Sequence, residues 1–207
     1  MESRDWRGIG RAMRGATMER VSGDSIVIYR DQTWKDYERM LRARGDHSPP
    51  LLAFLDGEIE QMSPGESHER VDFNCARMVT DYCLAHGILI QGLGSWLLKD
   101  KLKRAGLEPD ACFIFGRKTA KRPDLAIEVE WSRGGINKLE IYRRLGIREV
   151  WRWRKYTLHI HQLVRGSYRE AERSRFLPDI DVELMTSLLK LRYVNHIVER
   201  WNGGRGR

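Results

Sequence analysis

The stretch DLAIEVEW, residues 124–131, decides how this chain folds. In an extended strand successive side chains point to opposite faces, so Leu125, Ile127, Val129 and Trp131 form one apolar face. Asp124, Ala126, Glu128 and Glu130 share the other. Carboxylates side by side on one strand repel unless a cation or a basic side chain neutralises them, which marks Glu128 and Glu130 as a candidate metal site. The alternative is an edge strand whose polar face is simply solvated.

Working outward, Glu108-Pro109-Asp110 opens the run ACFIF at 111–115, a second strand. If the two strands are neighbours, Asp110 stands next to Glu128. Hard divalent ions prefer oxygen ligands, and Mg²⁺ typically takes one or two protein carboxylates while phosphate and water complete its octahedron. Downstream, a helix expected over residues 136–145 puts Lys138 and Tyr142 four apart and so on one face. Where that face overlooks the carboxylates, the ammonium can orient an attacking water or stabilise a pentacovalent transition state. Taken alone, a helix lysine is usually just solvated.

The rest of the chain surrounds these elements with strands and helices. SIVIY (25–29) reads as a strand, and Thr33 with Asp36 as a helix start for a short helix reaching about Arg44. LLAFL (51–55), the Asp56-Gly57 pair and EIEQM (58–62) read as a hairpin, because both turn residues tolerate positive φ. SPGE (63–66) places Ser63 as N-cap, Pro64 in the first helical position and Glu66 in the capping box of a long helix running to Gly87. Val71, Cys75, Met78, Val79, Tyr82 and Cys83 form its buried stripe, while Glu69, Asp72 and Arg77 are expected to stay wet. Further strands are expected at ILIQG (88–92), SWLL (95–98), REVWRW (148–153) and TLHIHQL (157–163), and one amphipathic helix over residues 184–201. Gly146 suits a helix terminator. This order predicts an α/β fold around a mixed sheet.

Composition sets the frame. The 207 residues suit one α/β domain, with 41% hydrophobic and 32% charged residues. Residues 1–20, with arginines at 4, 7, 11, 14 and 20, read as a mobile basic extension ahead of a single domain over 21–207. The net charge of +8 and a pI near 9.6 favour polyanionic partners. No run approaches the roughly 20 apolar residues of a membrane span and no secretory signal is visible, so a cytoplasmic location is expected. Cys75, Cys83 and Cys112 form no CxxC pair and read as reduced core thiols.

The ordered blocks LDGEIEQMSP (55–64), SHERV (67–71), GLEPDACFIF (106–115) and RPDLAIEVEWSRGGINKLEIYRRLGIREVWRW (122–153) resemble the Uma family of "putative restriction endonucleases", a branch of the PD-(D/E)XK nuclease superfamily. The resemblance spans roughly residues 50–180. It implies a restriction-endonuclease-like fold, a central mixed β-sheet flanked by helices, and hydrolysis of DNA phosphodiesters dependent on Mg²⁺ or Mn²⁺. It makes Asp110 and Glu128 the acidic metal ligands. The usual lysine two residues after the second acid is Glu130 in this chain, a candidate third ligand, and Lys138 on the following helix takes the lysine's place. Glu58 in the first hairpin and His68 at the start of the long helix stand where the family has an acid and a histidine that can hold the metal or its water from a second layer. Glu58 reads equally as a hairpin charge, and His68 as a helix-start residue.

Other patterns carry less. His159 and His161 share a strand face without further ligands and read as structural or solvent-facing. In residues 148–154, Trp151 and Trp153 alternate with Arg152 and Arg154; a base-stacking clamp is conceivable, but core packing of the tryptophans fits the alternation better. The functional rival is a catalytically inactive nuclease-fold module that binds nucleic acid or serves as an interaction module. Cutting both strands of a duplex would favour a homodimer.

Overall fold

The computed structural model describes residues 16–21, 23–117, 119–131 and 135–203. Two six-stranded sheets carry the fold. In chain order the strands are β1 (Ala16–Val21), β2 (Asp24–Tyr29), β3 (Leu51–Leu55), β4 (Glu58–Ser63), β5 (Ile90–Leu93), β6 (Leu98–Asp100), β7 (Ala105–Leu107), β8 (Ala111–Phe115), β9 (Leu125–Glu130), β10 (Glu149–Arg154), β11 (Thr157–Val164) and β12 (Ser167–Ala171). The helices are α1 (Trp34–Arg44), α2 (Glu66–Ala85), α3 (Lys138–Leu145), α4 (Val182–Leu188) and α5 (Val194–Gly203). The first sheet runs β1-β2-β4-β3-β7-β6 with antiparallel pairs throughout. The second runs β12-β11-β10-β9-β8-β5 and is mixed, because β9 and β10 are parallel and α3 makes the crossover between them.

The alternation in residues 125–130 is realised, but both faces of β9 are buried. Leu125, Ile127 and Val129 join Trp151 and Trp153 in a core covered by α2, α4 and α5. Ala126 joins Cys112, Val150, Ile141 and Tyr142 in a second core closed by the first sheet through Ile26, Leu51 and Met62. The central mixed sheet is therefore flanked by helices as expected, with a second sheet added on the α3 side. A third cluster packs Tyr37, Met40 and Leu41 of α1 on Leu52, Phe54 and Ile59. The three cysteines are free and buried.

Several expectations fail for local reasons. Residues 16–20, taken as part of a mobile extension, lie in β1, paired with β2 from Ala16↔Tyr29 to Val21↔Asp24; residues 1–15 lie outside the described residues. Ser63 is still paired with Ser25 in β4, so it cannot cap α2; the N-cap is Gly65, and Asp24 Oδ1 accepts its N–H at 2.7 Å. The stripe over 184–201 breaks because Arg192 and Tyr193, one turn beyond Leu188 and Leu189, are exposed, and the chain bends into two helices. β7 and β12 are short additional strands whose sequences, AGL and SYREA, carry little alternating apolar signal. Trp151 and Trp153 are core residues, as expected.

Candidate active site

β8 and β9 pair antiparallel with Ala111 opposite Ile127, and continuing that register sets Asp110 opposite Glu128. Directly opposite residues share a sheet face, so the two carboxylates are neighbours by construction. Glu128 is fully buried. Its Oε1 accepts from the Tyr142 hydroxyl at 2.8 Å, and Lys138 Nζ lies 2.9 Å from its Oε2. Lys138 and Tyr142 come from one face of α3, whose start is fixed by Asn137 accepting from the Glu140 N–H. The parallel crossover thus delivers the lysine above the strand that carries the carboxylate.

Asp110 is held from two sides. Its Oδ2 accepts from the Val129 N–H at 2.7 Å, and its Oδ1 lies 3.1 Å from His68 Nε2. His68, on the first turn of α2, faces Asp24 with its other nitrogen, 3.0 Å from Oδ2. Asp24 therefore anchors the N-cap residue of α2 and braces His68 at once. That approach requires glycine at position 65: a Cβ there would stand 2.6 Å from the Gly23 carbonyl carbon, a backbone atom that cannot step aside.

Glu60 completes the cluster. It is buried, its Oε1 lies 3.5 Å from Lys138 Nζ, and its Oε2 accepts from the Ile136 N–H at 3.0 Å. Glu58, the hairpin acid expected at the site, lies elsewhere. It shares the face of β4 with Glu60 but sits at the hairpin tip, half exposed and paired with Arg30 at 3.3 Å. Glu130 lies on the face of Glu128, and Arg152 grips it bidentately at 3.1 and 2.5 Å. Asp72, expected to be wet, lines a neighbouring pocket with His68, Glu69 and Asp110. Sequence reasoning missed Asp24 and Glu60. The only signals were an acid opening a strand and a second acid in EIEQM with the parity of Met62, a core position.

The charges explain one another. Burial raises the Glu128 carboxyl to about 8, Lys138 opposing it and Asp110 and Glu130 adding to it. Burial works against the Lys138 ammonium, but Glu128, Glu60, Asp110 and Glu130 outweigh it and hold the lysine charged. His68 is likewise disfavoured by burial and still raised to about 10 by Asp110 and Asp24. Asp110 is lowered: His68, Lys138 and the Val129 N–H overcome its burial. A cavity of about 230 Å³ opens on this cluster, with Glu60, His68, Glu130, Lys138, Arg152 and Arg154 among its walls.

Whether the residues fit a hard divalent cation can be asked of the donor atoms. Glu128 Oε2 is buried and, apart from the Lys138 ammonium 2.9 Å away, has no hydrogen-bond partner, so a bound cation would share this oxygen with the lysine. The donors around it are carboxylate oxygens, the kind Mg²⁺ and Mn²⁺ select. Among the described residues no group of three or more His, Cys, Asp or Glu side chains is placed to hold a metal ion.

No curated protein matches the chain. Among solved structures, a crystal structure described as a "putative nuclease belonging to DUF820" from Anabaena variabilis is similar at 13% identity, covering 76% of this chain and 95% of that one with a TM-score of 0.48. The Uma2 family model matches residues 34–192, a span that includes Glu60, His68, Asp110, Glu128 and Lys138. The chain belongs to the Uma2 family, whose description is "Putative restriction endonuclease".

Proposed function

We propose that this protein is a metal-dependent DNA endonuclease in which Asp110 and Glu128 hold Mg²⁺ or Mn²⁺. The observation that carries the reading is the register of β8 against β9, which sets two buried carboxylates opposite each other under a lysine from the crossover helix. When bound, the cation supplies a polarised water and charge neutralisation on the scissile phosphate. Lys138 neutralises the carboxylates while the site is empty of substrate and stands ready to donate to a phosphate oxygen or to the attacking water. Val129, through its N–H, and His68 fix the two oxygens of Asp110 in orientation. Tyr142 fixes Glu128 in the same way, and Glu60 holds Lys138 over the strand. Glu130 is occupied by Arg152, so it is a weaker candidate for a third ligand than the sequence implied.

The test is cleavage of supercoiled plasmid by purified protein in Mg²⁺, in Mn²⁺ and in EDTA, beside the Glu128→Ala variant. Nicking that needs the metal and vanishes in the variant is the expected result. Cleavage that survives both Glu128→Ala and Asp110→Ala overturns the assignment. DNA binding without cleavage under either metal favours the inactive-scaffold reading instead, to which the existing neutralisation of the carboxylates by Lys138 and Arg152 gives some footing. A cytoplasmic setting and a two-fold dimer that cuts both strands belong to the same reading; no helix among the described residues is long and apolar enough to cross a membrane.

A further inference from the structure

We propose that the end of β10 and the turn after it form a nucleotide subsite beside the scissile phosphate. In it, Arg154 holds a backbone phosphate and Tyr156 stacks on a base that has left the duplex stack. The inference rests on the nuclease reading for the identity of the polymer, and on separate residues for its argument.

The parallel register of β9 and β10 sets Arg152 beside Glu128 and Arg154 beside Glu130, so an arginine column runs next to the carboxylate column. The two arginines differ in employment. Arg152 is committed to Glu130 through two contacts, whereas Arg154 makes no side-chain hydrogen bond or ion pair among the described residues and still lines the cavity. A half-buried guanidinium without an acid partner, one residue pair along the strands from the reacting centre, matches the fork geometry that phosphate oxygens offer.

The turn beyond it adds the second half. Trp131, at the end of β9, lines the cavity and meets Tyr156 edge to face, with ring centroids 5.5 Å apart. Tyr156 itself is 60% exposed, a large aromatic left in water against a tryptophan of the cavity wall. Lys155 and Tyr156 form the two-residue turn between β10 and β11 with φ of 50° and 61°. Such turns ordinarily take Asn-Gly, because a side chain is strained at positive φ. Here a cation and an aromatic ring occupy both strained positions, a place where the chain favours side-chain chemistry over backbone comfort. A guanidinium, a cation and an exposed ring on three consecutive residues supply the combination that grips single-stranded nucleic acid: charge follows the phosphates and the ring takes a base. Duplex ends, flaps and mismatched sites offer such a base; a perfectly stacked duplex must first give one up.

The experiment is fluorescence anisotropy with a labelled 12-nucleotide single strand and with the same sequence as duplex, in Ca²⁺ and over a salt series. It uses the full chain and its Arg154→Ala and Tyr156→Asn variants. A single strand carrying 2-aminopurine reports stacking directly. Arg154→Ala is expected to weaken binding about tenfold and to reduce the slope of log K against log salt by about 0.7, the loss of one phosphate contact. Tyr156→Asn suits the turn better and so leaves the melting temperature unchanged or higher. It is nonetheless expected to weaken single-strand binding between about 5- and 100-fold and to restore the quenched 2-aminopurine signal, while Tyr156→Phe keeps both. An unchanged salt slope in the first variant, or unchanged 2-aminopurine quenching in the second, overturns the subsite. Variant-sensitive binding without metal-dependent cleavage sinks the nuclease reading and leaves the subsite standing; cleavage indifferent to both variants does the reverse.

Discussion

Lys138→Met is the substitution whose outcome tests the electrostatics of the site most directly. The lysine side chain is 11% exposed and lies 2.9 Å from Glu128 and 3.5 Å from Glu60, so its removal strips the cation from two buried carboxylates while the methionine refills the volume. Breaking a buried pair by deleting one partner typically costs about 3–5 kcal/mol. The lower end applies here, because Glu128 already tends to retain a proton and can neutralise itself. About 3 kcal/mol in a chain of this size lowers the melting temperature by roughly 6–12 °C.

The pH dependence follows from the sign of the Glu128 shift. Its carboxyl is raised from 4.5 to about 8, so the folded state holds a proton that the unfolded state has released. The stability that this proton confers is complete below the unfolded value and disappears as pH rises through the folded one. Removing Lys138, which opposes the rise, pushes the folded value higher still. The gap between wild type and variant should therefore hold steady from pH 5 to about pH 7 and widen as pH rises through 8, where the wild-type carboxyl has released its proton and the variant's has not. Scanning calorimetry in EDTA at pH 5, 7 and 8.5, repeated with millimolar Mn²⁺, measures it. A cation that replaces the lost ammonium should recover at least half of the deficit at pH 8.5 and shift the variant more than the wild type. A variant that melts within about 2 °C of wild type at pH 8.5, or that Mn²⁺ does not stabilise preferentially, refutes the claim that Lys138 neutralises a cation-binding cluster.

Three further outcomes are expected. Asp110→Ala and Glu128→Ala should each abolish metal-dependent plasmid nicking while far-UV circular dichroism stays that of the wild type. Asp72, pushed by burial and then by Asp110 from 3.8 to about 7 and with a buried Oδ1 lacking a hydrogen-bond partner, weakens the fold as pH rises from about 4 to 7. That rise corresponds to about 4 kcal/mol at full burial; partial solvent access reduces it to roughly 1–2 kcal/mol. Asp72→Asn should accordingly melt higher than wild type at pH 7.5 and equally at pH 4, and equal melting at both would remove the strain assigned to it. Gly65→Ala forces a Cβ against the Gly23 backbone, and urea titration should show a loss of about 1–3 kcal/mol. Nicking by that variant at saturating metal should also fall, because the Asp24 brace on His68 moves with the cap.

The juxtaposition was legible where it lay within one stretch of sequence. Asp110, Glu128 and Lys138 come from the start of β8, from β9 and from the crossover between β9 and β10, and strand parity and helical spacing bring them together once β8 and β9 are neighbours and α3 covers them. The faces of β9 were read correctly, but not that both are buried, since the cover on the acidic face comes from residues 24–63 and leaves no mark in residues 124–131. Glu58 came from the resemblance, as the acid of the first hairpin, and Glu60 two residues on was not considered; the two share one face of β4, and which of them lies under α3 depends on how far the hairpin reaches, a tertiary fact. Ser63 had the composition of a cap and was claimed first by its ladder with Ser25. The tryptophans of residues 148–154 were rightly placed in the core, and that success hid their alternating partners, since the same alternation sends Arg152 and Arg154 into the cavity.

Asp24 shows why such residues escape a reading along the chain. It lies 86 positions before Asp110 in sequence, yet it determines how Asp110 is held. One of its oxygens anchors the N-cap residue of the helix that carries His68, and the other fixes the ring that faces Asp110. The first sheet therefore does more than cover the second. Through Asp24 and Glu60 it supplies the braces for an acid on β8 and a lysine on α3, so the geometry of the proposed metal site depends on the two sheets docking in register. Double-mutant cycles between Asp24→Asn and Asp110→Asn should show this as coupling in metal affinity, read by Mn²⁺ titration calorimetry. Residues in one hydrogen-bonded network couple by about 0.5–3 kcal/mol, whereas independent residues add within about 0.5. Additive effects would mean that Asp24 serves only the helix cap, and that His68 holds its place without it.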